Sequence, residues 1–202
     1  LLGLNVPEAD GGMGASSIEA LLVMQALGRA LTVEPYLQTA LVAAPLLARA
    51  GSDAQRAQWL PAIAAGEKRM VVAAYEPGAR FDLDHVETRA ERRGSGYVLN
   101  GRKTAVIGAA GADALIVSAR TEGEARGAAG VSLFLVPADA PGLAIDDKPT
   151  IDGAHAAEVT LANVEVGEDA RVGPLHGGYD ELERAIDRGT AGLCAEAVGV
   201  ME

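Results

Sequence analysis

The sequence predicts an α+β protein with an N-terminal helical domain, a central antiparallel β-barrel or β-sandwich domain, and the start of a C-terminal helical bundle. Residues 16–69 are rich in alanine and leucine at helical spacing. Residues 70–175 hold short apolar runs separated by glycine, proline or aspartate, and helical spacing returns from about residue 177. We therefore place the domains at residues 1–69, 70–175 and 176–202.

Three helices are predicted in the first zone from their start signals. Ser16 and Glu19 have the spacing of a capping box, in which each side chain satisfies the other residue's free backbone N–H. Pro35 suits the first turn of a second helix, because its fixed φ is already helical. Ser52 can cap a third helix, on which Trp59 is expected to be a packing anchor.

The middle zone predicts strands in close succession. Asn100-Gly101, between two apolar runs, has the composition of a tight hairpin turn. Many short strands without an intervening helix favour an antiparallel barrel or sandwich. The strand candidates are residues 70–75, 86–93, 97–99, 103–107, 114–119, 131–136, 143–145 and 157–166.

Composition and charge exclude several classes of function. The formal net charge is −11, which argues against a general nucleic-acid or anionic-membrane binder because phosphate groups would be repelled. A single cysteine, Cys194, rules out a disulfide within the chain, and the three histidines lack metal-ligand spacing, so no metal site is predicted. No apolar run approaches the ~18 residues of a membrane-spanning helix. We expect a cytoplasmic protein without membrane insertion.

A series of motifs follows in order along nearly the whole chain. Together they resemble the acyl-CoA dehydrogenase family, and in texture the branch similar to the small subunit of pimeloyl-CoA dehydrogenase. The resemblance implies a fragment that lacks most of the family's C-terminal helical domain. The motifs are Gly3-Leu4-Asn5-Val6-Pro7-Glu8, Gly11-Gly12-Met13-Gly14, Glu76-Pro77-Gly78-Ala79, the segments 96–103, 130–136 and 159–166, and Asp187-Arg188.

What the resemblance implies is an FAD-dependent acyl-CoA dehydrogenase of fatty acid metabolism. In the family a carboxylate removes the α-proton of an acyl-CoA thioester while the β-hydrogen leaves as hydride to flavin N5. Hydrogen bonds to the thioester oxygen and exclusion of water stabilise the enolate-like charge. Electron-transfer flavoprotein is the implied electron acceptor, and a homo- or hetero-oligomer, dimer or homotetramer, is implied as the assembly.

By position in the family's motifs, the flavin contacts would be Ala74, Tyr75, Ala105, Val106 and Ile107. The family often has threonine where Tyr75 stands, and an aromatic residue and a hydroxyl-bearing residue where Ala105 and Ile107 stand. This chain therefore lacks the usual side-chain hydroxyl and aromatic wall, although backbone N–H groups can still bind the ring.

Substrate contacts are implied for Phe81, Asp187 and Arg188. Some family members carry the general base immediately before an arginine on the helix that starts here, which makes Asp187 a candidate base. In most members the base is a glutamate further along the C-terminal bundle. A general base must come within hydrogen-bond reach of its proton.

Two alternatives remain open on the sequence alone. One is a non-catalytic or partner-dependent subunit of a heteromeric acyl-CoA dehydrogenase. The other is a flavin oxidase or monooxygenase on the same fold.

Overall fold

A computed structural model describes residues 1–202. The helices lie at the two ends of the chain. A π-helical stretch, Leu37–Ala43, continues directly into α2, and the two are called the 37–50 helix below. No helix of the chain is both long and apolar enough to cross a bilayer. The α-helices are α1 (Ser17–Arg29), α2 (Ala44–Ala50), α3 (Asp53–Ala65) and α4 (Tyr179–Met201).

The helix starts predicted at Ser16 and Ser52 are confirmed, whereas Pro35 lies immediately before the second helix and not in its first turn. Ser52 caps α3 through a complete capping box, accepting from the Gln55 N–H at 3.2 Å while the Gln55 side chain accepts from the Ser52 N–H at 3.0 Å. Ser16 caps α1 by accepting from the N–H of Ile18 at 3.2 Å, and its hydroxyl donates to the Glu19 carboxylate. The reciprocal box expected at Ser16 is therefore replaced by a side-chain contact.

The central zone forms one sheet of eight strands in the order β6-β7-β3-β2-β4-β5-β8, with β1 paired to β4 outside that path. The antiparallel pairing predicted from the sequence is confirmed for most pairs. The exceptions are β1 with β4 and the single bridge between β2 and β4, which are parallel. The strands are β1 (Met70–Ala73), β2 (Arg89–Arg93), β3 (Gly96–Ile107), β4 (Ala114–Arg120), β5 (Val131–Pro137), β6 (Leu143–Pro149), β7 (His155–Gly167) and β8 (Arg171–Val172).

The hairpin predicted at Asn100-Gly101 is wrong, because β3 runs through both residues without a break. The turn lies instead between β2 and β3, where Gly94 has a φ of 57°. The pairing of β3 with β7 shifts register between Leu99 and Gly101, so Asn100 and Gly101 lie at a β-bulge. A Cβ on Gly101 would lie 2.6 Å from the Thr88 Cα. The glycine is thus required by close backbone approach.

Two apolar cores meet at the sheet. One joins the helices to the sheet face and contains Trp59, which is 5% exposed, as the sequence predicted. The other is enclosed by the strands around Leu99 and Phe134. Leu182 and Ala185 of α4 belong to the first core, so α4 is held against the helical layer beside β1.

Glycines let α1 and α4 approach closely. A Cβ on Gly28 would lie 2.9 Å from the Glu196 carbonyl carbon, and one on Gly199 would lie 2.8 Å from the Gln25 carbonyl carbon. Real Cβ atoms do not approach backbone so closely, so any side chain at either position forces the helices apart.

We expect Gly199→Ala to destabilise the protein by about 1–3 kcal/mol in urea unfolding, because the methyl group overpacks the α1–α4 contact. Helix propensity alone gives the opposite sign, a gain of up to about 1 kcal/mol. Gly78→Ala is the matched control, since its added Cβ meets only a Glu87 oxygen at 3.8 Å. A Gly199→Ala protein as stable as the wild type would contradict the close contact.

Candidate active site

A cleft of about 160 Å³ lies where β1, β3, the 37–50 helix and α4 converge. Nine of its thirteen lining residues are hydrophobic and none is charged. Ile107 and Leu193 in its wall are 42% and 54% exposed, which is high for large apolar side chains. The lining residues are Leu37, Gln38, Val42, Val72, Ala74, Tyr75, Thr104, Ala105, Ile107, Ile186, Gly189, Thr190 and Leu193.

A bulge in β3 forms one wall of the cleft. The pairing with β7 shifts between Lys103 and Val106, so Thr104 and Ala105 have a single register position opposite them. Ala105 adopts a φ of 53°, a left-handed conformation that costs an L-residue about 1–2 kcal/mol. Strain of this kind persists where the surrounding structure imposes it, often at functional sites. The bulge turns the Ala105 backbone out of the regular ladder beside the cleft.

The segment after β1 forms the adjoining wall. The carbonyl of Tyr75 accepts from the Thr104 N–H at 2.9 Å, which fastens this segment to the bulge. The Tyr75 ring meets the Phe81 ring edge to face, with centroids 5.4 Å apart and an interplanar angle of 87°. Burial raises the pKa of the Tyr75 phenol, so its hydroxyl stays protonated and can donate.

Behind this wall lies a buried ion pair. The Lys103 Nζ donates to Glu76 Oε1 at 2.7 Å, to Ser118 Oγ at 2.9 Å and to the Ala74 carbonyl at 3.3 Å. Both side chains are almost fully buried, at 0% and 3% exposure. The Glu76 carboxylate also accepts from the backbone N–H groups of Glu87 at 2.6 Å and Thr88 at 3.0 Å. Each charge therefore has several partners.

Burial and pairing act in opposite directions on these two groups. Burial lowers the pKa of Lys103 to about 8, against the upward effect of Glu76. Burial by itself would raise the pKa of Glu76, but the Lys103 charge and the hydrogen bonds from Lys103, Thr88 and Glu87 bring it below its usual value. Both groups are therefore charged at neutral pH, and neither can be removed alone without stranding the other.

The structure brings together four of the five residues predicted to contact flavin: Ala74, Tyr75, Ala105 and Ile107 line the cleft. The Val106 side chain is 2% exposed and packs in the core between the strands, so a contact from this residue would come from its backbone. Phe81 is 77% exposed and reaches the cleft only through Tyr75.

The structure separates the two residues predicted on α4. Asp187 is exposed and does not line the cleft. Arg188 lines a different cavity, between α1, the 37–50 helix and α4. The positions that α4 contributes to the cleft are Ile186, Gly189, Thr190 and Leu193, of which the motif comparison identified none. Their spacing of three, four and seven residues is the signal that could have grouped them on one helical face.

The cleft fits one part of a flavin. Its apolar walls suit a flat ring system, and the Tyr75 phenol, the Gln38 amide and the backbone at the bulge offer polar groups to the ring's edge. A pocket that encloses a whole ligand of moderate size measures ~300 Å³ or more. The enclosed volume here therefore suits a portion of a cofactor or substrate.

We expect Lys103→Met to cost about 3–5 kcal/mol in urea unfolding at neutral pH, because it leaves the Glu76 carboxylate buried without its counter-charge. The double variant Lys103→Met/Glu76→Gln should recover part of this loss, since neither side chain is then charged. Lys148→Met is the control, because Lys148 makes an exposed pair with Asp146. A double variant no more stable than Lys103→Met would contradict the argument.

Comparison with known proteins gives the chain's family. Residues 1–67 match the model of the acyl-CoA dehydrogenase N-terminal domain, and residues 71–164 match the model of the acyl-CoA dehydrogenase middle domain. The crystal structure of a probable acyl-CoA dehydrogenase from Mycobacterium abscessus superposes with a TM-score of 0.89 at 30% identity, covering 98% of this chain and 54% of that one.

Two curated relatives match over almost the whole chain. The 3-(aryl)acrylate reductase of Clostridium sporogenes is 32% identical over 206 residues, covering 99% of this chain and 54% of the relative. The CarC subunit of the caffeyl-CoA reductase-Etf complex of Acetobacterium woodii is 28% identical over 206 residues, again covering 99% and 54%. The chain thus spans about half the length of the curated relatives it matches. With both domain models and the fold in agreement, the chain belongs to the acyl-CoA dehydrogenase family.

Proposed function

We propose that the protein acts as an FAD-dependent acyl-CoA dehydrogenase, which oxidises the Cα–Cβ bond of an acyl-CoA thioester. The observation that carries the proposal is the uncharged cleft in which the end of β1, the bulge of β3 and one face of α4 meet. Membership of the family supports a flavin-binding role for this cleft. Four of the residues that line it are among those that the family's motifs imply as flavin contacts.

The chain's own residues would position the cofactor and exclude water. Backbone groups of Ala74, Tyr75, Ala105, Val106 and Ile107 would hold the flavin ring, with the Tyr75 phenol as a side-chain donor. Bound FAD would accept the β-hydrogen with its electron pair, and the protein would supply position and field. Apolar walls at Val42, Ile186 and Leu193 would keep water from the reacting carbons, which strengthens each polar contact to the thioester.

Removal of the α-proton needs a base that the cleft lining does not include. None of the thirteen lining residues is an aspartate or glutamate. Asp187 is exposed on the neighbouring face of α4, and reaching the cleft would require its side chain to leave solvent. We place the base at a carboxylate other than Asp187 and assign Asp187 and Arg188 no direct part in proton transfer.

A second candidate is a partner-dependent subunit whose active site is completed by another chain, and its support is the similarity to a relative named as the subunit of a complex. The relative from Acetobacterium woodii, named as a subunit of a reductase-Etf complex, makes electron-transfer flavoprotein our proposed redox partner and an oligomer our proposed assembly. Purified protein that binds FAD but is not reduced by any acyl-CoA without an added subunit would favour this second function. Oxygen consumption without an acyl-CoA would instead favour an oxidase or monooxygenase.

We expect Ile107→Asp to weaken FAD binding at least about tenfold, because it places a carboxylate in the apolar wall against the ring. Ile151→Asp is the matched control, since Ile151 is fully exposed and lies outside the cleft. Fluorescence titration of the apoprotein with FAD measures both. Equal affinities for the two variants would place the cofactor elsewhere, and a wild-type protein that binds no FAD would refute the enzymatic function.

We expect Asp187→Asn to change the rate of FAD reduction by acyl-CoA less than about threefold, because the side chain is exposed and away from the cleft. Loss of a general base typically lowers the rate by about 10²–10⁴. Stopped-flow absorbance under anaerobic conditions separates the two outcomes. A loss of a hundredfold or more with FAD still bound would identify Asp187 as the base.

A further inference from the structure

A second cavity, of about 330 Å³, lies between α1, the 37–50 helix and α4. It shares two helices with the cleft but uses different faces of them: Leu41 and Ala185 line the cavity, whereas Val42 and Ile186 line the cleft. Half of its twelve lining residues are hydrophobic, including Leu21 of α1. It also contains three arginines, Arg49, Arg184 and Arg188.

The charges in the cavity do not balance. Glu181 is its one carboxylate, and it is engaged by the Arg49 Nε at 2.5 Å and the Arg184 Nη1 at 3.5 Å. Arg188 lies within ion-pair distance of no acidic side chain. Three guanidinium groups against one carboxylate leave a surplus of two positive charges in a chain whose net charge is −11.

Arg188 is the group that lacks a partner. Its Nε is buried and has no hydrogen-bond acceptor. Burial lowers the pKa of Arg188, in opposition to the effect of Tyr36, yet a guanidinium remains protonated throughout the physiological range. Arg188 as a whole is half-buried, and a guanidinium partly removed from water without a partner is unfavourable. The side chain is therefore poised to gain from an anion in the cavity.

We infer that this cavity binds the carboxylate of a small apolar acid, with Arg188 as the main ligand and Leu21 and Leu41 against the hydrocarbon part. A free guanidinium fork matches a carboxylate in two parallel hydrogen bonds. The surplus of positive charge attracts any small anion, and the apolar half of the lining distinguishes a carboxylate that carries a hydrocarbon chain from inorganic phosphate. The apolar half of the lining favours a hydrocarbon chain over a sugar or nucleotide. The inference goes beyond the proposed dehydrogenase activity and does not depend on FAD.

The test is calorimetric titration of the purified protein with hexanoate, without FAD or acyl-CoA, so that failure of the dehydrogenase proposal leaves the result interpretable. Hexanol and inorganic phosphate are the comparison ligands. We expect hexanoate to bind, and hexanol and phosphate to bind at least about tenfold more weakly because each lacks half of the recognised group. Phosphate that binds as well as or better than hexanoate would overturn the carboxylate assignment.

Variants assign the binding to Arg188. Arg188→Gln should weaken hexanoate binding at least about tenfold, and Arg188→Lys should weaken it less because the charge is kept and the fork is lost. Arg126→Gln, at an exposed arginine paired with Asp82, should change it less than about twofold. Without ligand, Arg188→Gln should melt at the same or a higher temperature than the wild type, since it removes an unpaired and half-buried charge. Unchanged hexanoate binding in Arg188→Gln, or no binding to the wild type, would overturn the inference.

Discussion

The buried pair of Glu76 and Lys103 is the interaction on which the geometry of the site depends. Lys103 belongs to β3, Ser118 to β4, and Glu76 follows β1, so one ammonium group joins three separate parts of the chain. Its bond to the Ala74 carbonyl fixes the segment that lines the cleft. Hydrophobic residues in place of such a pair are often as stable or more stable. The pair's contribution here is therefore to position the backbone, through hydrogen bonds that an apolar core could not supply.

The residues that line the cleft do little to stabilise it. Ile107 and Leu193 leave apolar surface exposed, and Ala105 holds a strained left-handed conformation. Both features cost free energy: an apolar surface over the cleft would recover the cost of the exposed side chains, whereas the strain at Ala105 is offset by the surrounding structure. The buried pair of Glu76 and Lys103 keeps the strained bulge in place. The stabilising interaction therefore lies one layer of residues behind the surface of the cleft.

The sequence predicted the helices, most strands and the family, because caps, alternation and ordered motifs are local signals. Prediction from the sequence failed where the same residue type can be required for two different structural reasons. Asn100-Gly101 has the composition of a hairpin, yet Gly101 is there because Thr88 approaches its backbone. Neighbours on a helix also diverge by about 100°, so Asp187 and Arg188, paired by motif, lie in different surroundings. Which face each would occupy follows only once the packing of α4 is known.

The packing of α4 depends on glycines that the sequence alone presents as weak points of a helix. A Cβ on Gly189 would lie 2.9 Å from Val42 Cγ2, and one on Gly192 would lie 2.7 Å from Leu41 Cδ2. Because these glycines bring α4 into contact with the 37–50 helix, the two packed helices separate the apolar cleft from the arginine-lined cavity. The ion pair behind β1 thus fixes the position of one side of the cleft. The close packing of α4 at its glycines fixes the position of the other side. A larger residue at Gly189 would press on Val42 and Leu37 and so move α4 away from the 37–50 helix, without touching any residue predicted to contact the flavin.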